Sequence, residues 1–207
     1  VIWRVGLAAI GLAVATPASA ESIPPRDECG DIPGADAFRM TLATAVANRN
    51  EAMLVPLFAP NVKFHDDFGH AALRERLPHP DYRLWEELDA LLQLGCGGTA
   101  NELYVPWVGD QGFVMENPSV ELLAVGSAIP LRSAPSETAL VLRYLNWEVV
   151  RWNSEWETTM AHDFAQVTIG SMVGYVLESQ LRSEFHYHMS VSRIDGRWQV
   201  TSLVDGE

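Results

Sequence analysis

The densest polar run in the chain, His65-Asp66-Asp67-Phe68-Gly69-His70, offers two imidazoles and two carboxylates. These are ligands for zinc or similar ions, and His79 would add a third nitrogen. The same residues also read as a turn between a strand and a helix. Asp66 and Asp67 would cap backbone amides, and Gly69 would allow a positive φ. No spacing here matches a known metal motif. His186 and His188 stand two apart, so on a strand they share a side. There they would hold a divalent ion or form a pH-sensitive contact. A cross-strand hydrogen bond from His186 to Asp205 accounts for them equally well. Metal binding is therefore not assigned to His65, Asp67, His70, His186 or His188, and no cofactor is implied. Glu86, Glu87 and Asp89 sit at neighbouring helical positions that do not converge, so paired acid–base chemistry is not expected of them. Ser133 has no His and Asp placed by motif to activate it. No glycine-rich phosphate loop, HExxH or GxSxG occurs.

Aromatic residues carry a clearer signal. Tyr144, Trp147, Trp152, Trp156 and Tyr175 gather in one stretch. Trp156 lies in the polar run 153–159 with no apolar neighbour in sequence. An exposed indole there would serve recognition; the alternative is that it folds back over the barrel. Trp147 and Trp152 read as core. Asp+Glu number 27 against 14 Lys+Arg, a net charge of −13 over 207 residues. So acidic a surface repels phosphate, which argues against nucleic acid and anionic lipid as partners.

These side chains need elements to hold them. Residues 1–20 read as a secretory signal peptide: Arg4, an apolar run, then Ala18-Ser19-Ala20 as a small-x-small cleavage site. The apolar run is shorter than a membrane span requires. Export implies an oxidising compartment, in which Cys29 and Cys96 are natural disulfide partners. Spacing alone does not prove that bond, and a catalytic thiol would lack a matched His motif. Residues 21–35, with Pro24, Pro25 and Pro33, read as a linker. Asp36 is placed to cap a helix whose stripe is Phe38, Leu42, Ala45 and Val46. Asn50 caps a second, shorter helix that Pro56 limits. A strand is expected over 61–66, and a helical turn over 71–77. The strongest helix spans 81–94 on Leu84, Trp85, Leu88, Leu91 and Leu92, with Gly95 as its stop. Residues 103–108 read as an edge strand because of Pro106. Short strands follow at 120–125, 138–144, 147–152, 164–169 and 173–176. In the C-terminal hairpin the Asp195-Gly196 turn pairs Ile194 with Arg197. Val191 then faces Val200, and Tyr187 faces Val204. Phe185, Tyr187, Met189, Val191, Trp198, Val200 and Val204 form one side, which must be buried.

Within 120–182 the segments Leu131-Arg132-Ser133-Ala134-Pro135-Ser136, Phe164-Ala165-Gln166-Val167, Gly174-Tyr175-Val176 and Leu181-Arg182 resemble a bacterial SH3 (SH3b) domain. Pro130, Ala134 and Phe164 depart from the residues usual in that family, and 153–163 look like an enlarged loop. The flanks are similar to NTF2-like cone proteins, in which a curved sheet wraps a long helix; the closing Ile194-Asp195-Gly196-Arg197-Trp198-Gln199-Val200 carries part of that likeness. The expected fold is α+β, with a small SH3-like β-barrel inserted in or appended to a helix-plus-curved-sheet unit. The divisions are a signal peptide (1–20), a linker (21–35), the first part of the α+β unit (36–117), an SH3b-like barrel (118–183) and a hairpin packing back on the α+β unit (184–207). The resemblance implies a non-enzymatic, periplasmic or secreted binding protein of the cell envelope. Its partner would be a peptidoglycan stem peptide or another protein. Trp156, Tyr144, Tyr175 and Arg132 would form the binding surface. Arg132 alternatively pairs with barrel carbonyls. The rival expectations are an NTF2-like small-molecule or enzymatic cavity reached by His65, Asp67 or Tyr187, and a structural accessory protein with no ligand groove.

Overall fold

The structure, a computed structural model, describes residues 22–110, 115–153 and 163–206. The expected signal peptide and Trp156 lie outside the described residues. Among the described residues, four α-helices and two sheets make a mixed α+β protein. In chain order the elements are α1 (Ala35–Ala47), α2 (Glu51–Leu54), β1 (Phe58–Lys63), α3 (Gly69–Arg76), α4 (Leu84–Leu92), β2 (Gly97–Gly98) and β3 (Glu102–Val105). Then come β4 (Glu121–Ala124), β5 (Ile129–Arg132), β6 (Val141–Leu145), β7 (Val149–Trp152), β8 (Phe164–Ile169), β9 (Met172–Leu177) and β10 (Leu181–Arg182). The strands β11 (His188–Ile194) and β12 (Arg197–Val204) close the chain.

Helix α1 buries Phe38, Leu42, Ala45 and Val46, the stripe its spacing demands. It is not capped by Asp36. The chain enters it through Gly34, held at φ +79, and Asp36 sits in the first turn, 3.8 Å from Arg39. Glycine suits this left-handed φ, and the turn packs under Trp198, whose Nε1 donates to Pro33 O at 3.1 Å. Asn50 does cap α2, accepting from Met53 N at 3.0 Å, and Pro56 converts the following turn to 3-10 geometry. Helix α4 begins at Leu84 rather than Asp81, because Arg83 takes a left-handed φ of +45 that no helical residue adopts. Its Leu84, Leu88 and Leu91 are wholly buried. Each contributes about 1.5–3 kcal/mol of hydrophobic stabilisation on transfer from water.

The smaller sheet has the order β1-β12-β11-β3-β2, with β1 parallel to β12 and the other pairs antiparallel. Strand β1 runs 58–63 rather than 61–66. Strand β3, expected at an edge, lies between β11 and the two-residue β2. The hairpin turn is as read: Asp195 and Gly196 both have positive φ, and Ile194 faces Arg197. Val191 also faces Val200, but a β-bulge follows. Thr201 is the extra residue, its Oγ1 donating to Ser190 O at 3.2 Å. Beyond it the register slips by one, so His188, not Tyr187, faces Val204, and Leu203 is buried opposite Met189. Phe185, expected on the buried side, lies ahead of the strand and is 37% exposed.

The larger sheet has the order β10-β4-β7-β8-β9-β5-β6, all antiparallel. Among the described residues its end strands β10 and β6 do not pair with each other, so the sheet is open. Ile129, Leu131, Leu145, Val150, Val167 and Val176 form a second core. Gly174 is needed there: a Cβ on it would stand 2.7 Å from Leu131 Cγ and 2.8 Å from Arg132 O.

Residues 22–34, within the stretch 21–35 read as a linker, form a strap across both sheets. Ile23 N donates to Trp147 O at 2.7 Å, and Ser22 pairs with Glu148 beside the larger sheet. Glu28 N donates to Cys96 O at 2.8 Å, Cys96 N to Arg26 O at 3.0 Å, and Asp27 pairs with Cys96 beside the smaller one. The Cys29–Cys96 disulfide locks this end, with its Cα atoms 5.6 Å apart. Trp147, held at φ +54, packs against the first core, the one shared by the helices and the smaller sheet; Trp152 packs against the second.

Candidate functional site

On the outer face of the larger sheet, cross-strand register sets Tyr144 opposite Pro130, and Tyr175 opposite both Arg132 and Gln166. Paired residues in an antiparallel ladder share a face. Arg132, Tyr144 and Tyr175, chosen from the sequence, therefore lie on one face. Arg132 Nη1 donates to Ala139 O at 3.0 Å, which fixes the guanidinium and leaves it further donors. Gln166 Nε2 donates to Tyr175 OH at 2.8 Å, and Asn153 Nδ2 donates to Gln166 Oε1 at 3.1 Å and to Thr168 Oγ1 at 3.2 Å. This polar ladder keeps the face ordered without burying it. Beside it, β6 is an end strand whose neighbour is β5. Leu140, Leu142 and Tyr144, at alternate positions, are 73%, 37% and 57% exposed. Leu140 precedes the strand and Leu142 is the extra residue of a β-bulge, so of the three only Tyr144 is placed by register on the face of Arg132. Among the described residues the outer edge of β6 pairs with no strand, and such an edge with exposed apolar side chains is equipped to receive an extended peptide.

The His65–His70 run is the strand-to-helix turn. Phe64 N donates to Asp67 O at 2.8 Å, and Gly69 takes φ +85 where a Cβ would stand 2.8 Å from Pro60 O. His70 Nε2 lies 2.8 Å from Phe58 O. His65 is exposed, 3.9 Å from Asp66. Asp67 is paired at 2.8 Å with buried Arg76, whose guanidinium lies over the rings of Phe64 (5.1 Å) and Tyr82 (4.4 Å). His186 and His188 do not share a strand. His186 lies in the turn before β11, its N donating to Ser183 O at 3.2 Å, and Arg182 Nη2 donates to Tyr187 O. Among the described residues no group of three or more His, Cys, Asp or Glu side chains is arranged to hold a metal ion.

A second concave surface draws on segments the sequence keeps far apart. His79, Asp81, Tyr82, Arg83 and Glu87 line one side of a cleft of about 460 Å³; Phe185, His186, Tyr187 and Asp205 line the other. The His79 and Tyr82 rings meet tilted at 56° with centroids 5.2 Å apart, and Asp81 N donates to His79 Nδ1 at 3.3 Å. Sequence reasoning read Glu87 as an ordinary exposed helical acid and His79 as a spare ligand. The available signal was the density of polar and aromatic residues in 79–83 and 185–187, both next to element ends. Desolvation raises the Tyr187 phenol above its ordinary value, with Asp205 adding to the rise. Desolvation lowers the His186 imidazole below its ordinary 6.5; Arg182 adds to this, while Glu87 and Asp205 oppose it. A lowered folded value means that the unfolded chain binds this proton first. The stability from neutral His186 is full above 6.5 and is lost as pH falls through the lower folded value. Urea unfolding at pH 7.5 and 5.5 is therefore expected to show a larger loss in wild type than in His186→Gln. Equal losses would exclude His186 as a contributor.

No protein-family model matches the chain, and neither a curated protein nor a solved structure matches it. The class is therefore stated by architecture: a disulfide-closed α+β protein of two sheets. No helix among the described residues is long and apolar enough to cross a membrane.

Proposed function

We propose that this is an exported, non-enzymatic binding protein of the bacterial cell envelope. Its larger sheet is a variant of the SH3b barrel, and peptidoglycan stem peptide is its ligand. The observation that carries the reading is the edge of β6, which pairs with no strand among the described residues, together with exposed Tyr144 on the face bearing Arg132 and Tyr175 and exposed Leu142 at the bulge beside it. A peptide laid along that edge gains main-chain hydrogen bonds from the strand and apolar contact from exposed Leu142 and Tyr144. Arg132 offers a charge-assisted contact to a stem-peptide carboxylate. The Cys29–Cys96 bond suits the oxidising compartment that this role requires. Purified peptidoglycan should retain the wild-type protein in a pull-down. A Leu142→Ser, Tyr144→Ala variant should be retained about tenfold less, as loss of exposed anchor residues at a small interface predicts. Equal retention of the two proteins, with circular dichroism unchanged, would reject the surface.

A further inference from the structure

The edge strand β6 has two ends, and an arginine stands at one of them. We infer that Arg132 holds the free α-carboxylate at the C-terminus of a bound peptide, so that the peptide runs antiparallel to β6; this rests on the edge binding proposed above. Arg132, on β5, faces Val141, the first residue of β6, while Ile129 faces Leu145, the last. Its Nη1 donates to Ala139 O, in the segment that leads into β6, so the guanidinium reaches across to that end of the edge strand. Strands β5 and β6 are antiparallel. A peptide added to β6 in the antiparallel sense therefore runs as β5 does and ends beside Val141, whereas one added in parallel begins there. A terminal carboxylate at that end accepts charge-assisted bonds from the guanidinium. A terminal ammonium there meets a like charge.

Arg132 is the arginine of this sheet left for such a contact. Arg143 is held by Glu148 at 2.6 Å, Arg182 donates to Tyr187 O, and Arg151 faces Glu121 across strands. Among the described residues no carboxylate pairs with Arg132, in a chain where acids outnumber bases 27 to 14. Glu137, in the loop before β6, is exposed and makes no pair with it. The surroundings are apolar: Leu140 is exposed at the entry to β6, and exposed Val173 shares the face of Tyr175, two residues along the same strand. Half-buried and tied to a carbonyl, the guanidinium has little freedom left to lose on binding.

The test uses the soluble stem pentapeptide L-Ala-γ-D-Glu-L-Lys-D-Ala-D-Ala and its C-terminal amide, each titrated into the protein and followed by backbone amide resonances. The carboxylate on γ-D-Glu is common to both probes, so the comparison reads the terminal group alone. The free acid should bind about tenfold more tightly than the amide, the scale of one charge-assisted contact. Arg132→Gln should weaken the acid by a similar factor and leave the amide unchanged. A nitroxide on the peptide's N-terminal amine should broaden the amide resonances of Leu145 and Asn146 more than those of Leu140 and Val141. That measurement and the acid–amide comparison use wild type, so they stand if the variant fails to fold. With saturable shifts along β6, equal affinity for acid and amide or the reverse order of broadening overturns the polarity and leaves the edge reading standing. An equal loss for both peptides in Arg132→Gln makes the arginine structural and overturns it too. Absence of saturable shifts along β6 with either peptide overturns the edge reading and this inference with it.

Discussion

Replacing both Cys29 and Cys96 by serine is expected to lower stability by about 4 kcal/mol on the loop-entropy account of disulfides. The bond joins residues 67 apart in sequence, and all four helices and β1 lie inside that loop. Both cysteines are fully buried, so the replacement also puts two hydroxyls into the first core. The strap loses its covalent end at the same time, leaving non-covalent contacts there: the backbone pairs of residues 26–28 with Cys96, and Arg39 on Asp27. Urea unfolding of wild type with and without reductant, alongside the double-serine variant, measures the loss. A midpoint shift worth under about 1 kcal/mol would mean that the loop is already restrained in the unfolded chain. The oxidised wild type should titrate no free thiol.

Glu148→Ala is expected to cost about 3 kcal/mol, the scale on which a buried ion pair fails when one partner is removed. The Glu148 side chain is 6% exposed, and its two oxygens accept from Arg143 Nη2 at 2.6 and 2.7 Å. Its Oε2 also accepts from Asn146 N at 3.2 Å. Alanine leaves the guanidinium and that amide without their acceptor at the turn where the strap meets the larger sheet. Arg143 is 36% exposed and recovers some hydration, which holds the cost near the lower end of the buried-pair range. A paired Arg143→Met, Glu148→Leu replacement should restore most of the stability, because the desolvation of both charges goes with them. The double-mutant cycle gives the coupling directly. A coupling near zero would show that the pair contributes only its packing.

Much of the local architecture was legible because single elements carry their own periodicity. The leucines of α4 and the Asp195-Gly196 turn each specify their structure within a few residues. Five strands of the larger sheet announce themselves as short apolar runs, whereas β5 (Ile129–Arg132) and β10 (Leu181–Arg182) were not read as strands. What escaped was set by groups far away in sequence. The bulge at Thr201 shifts the hairpin by one residue, yet nothing in its alternation marks the extra position. Asp36 has the chemistry of a cap, but the packing of the Gly34 turn under Trp198 moves the helix start ahead of it. The proline-rich 22–34 segment has a linker's composition; its backbone pairs with Trp147 and Cys96 make it a strap. Of the candidate sites, Arg132, Tyr144 and Tyr175 share a face because alternate residues on adjacent strands must. The cleft joins residues more than one hundred positions apart, and only the folded chain brings Glu87 to His186 and Asp205.

The smaller sheet is completed from both sides of the larger one: β1, β2 and β3 precede it in the chain, while β11 and β12 follow it. As synthesis delivers residues in order, the helices can collapse and the middle strands can zip locally, since their contacts are near in sequence. The hydrophobic floor beneath the helices stays wet until the final twenty-odd residues emerge. Those residues act as a clasp, inserting between two strands that have waited for them. A chain halted before Trp198 would hold a finished middle and a gaping first half, a form ready for quality-control proteases.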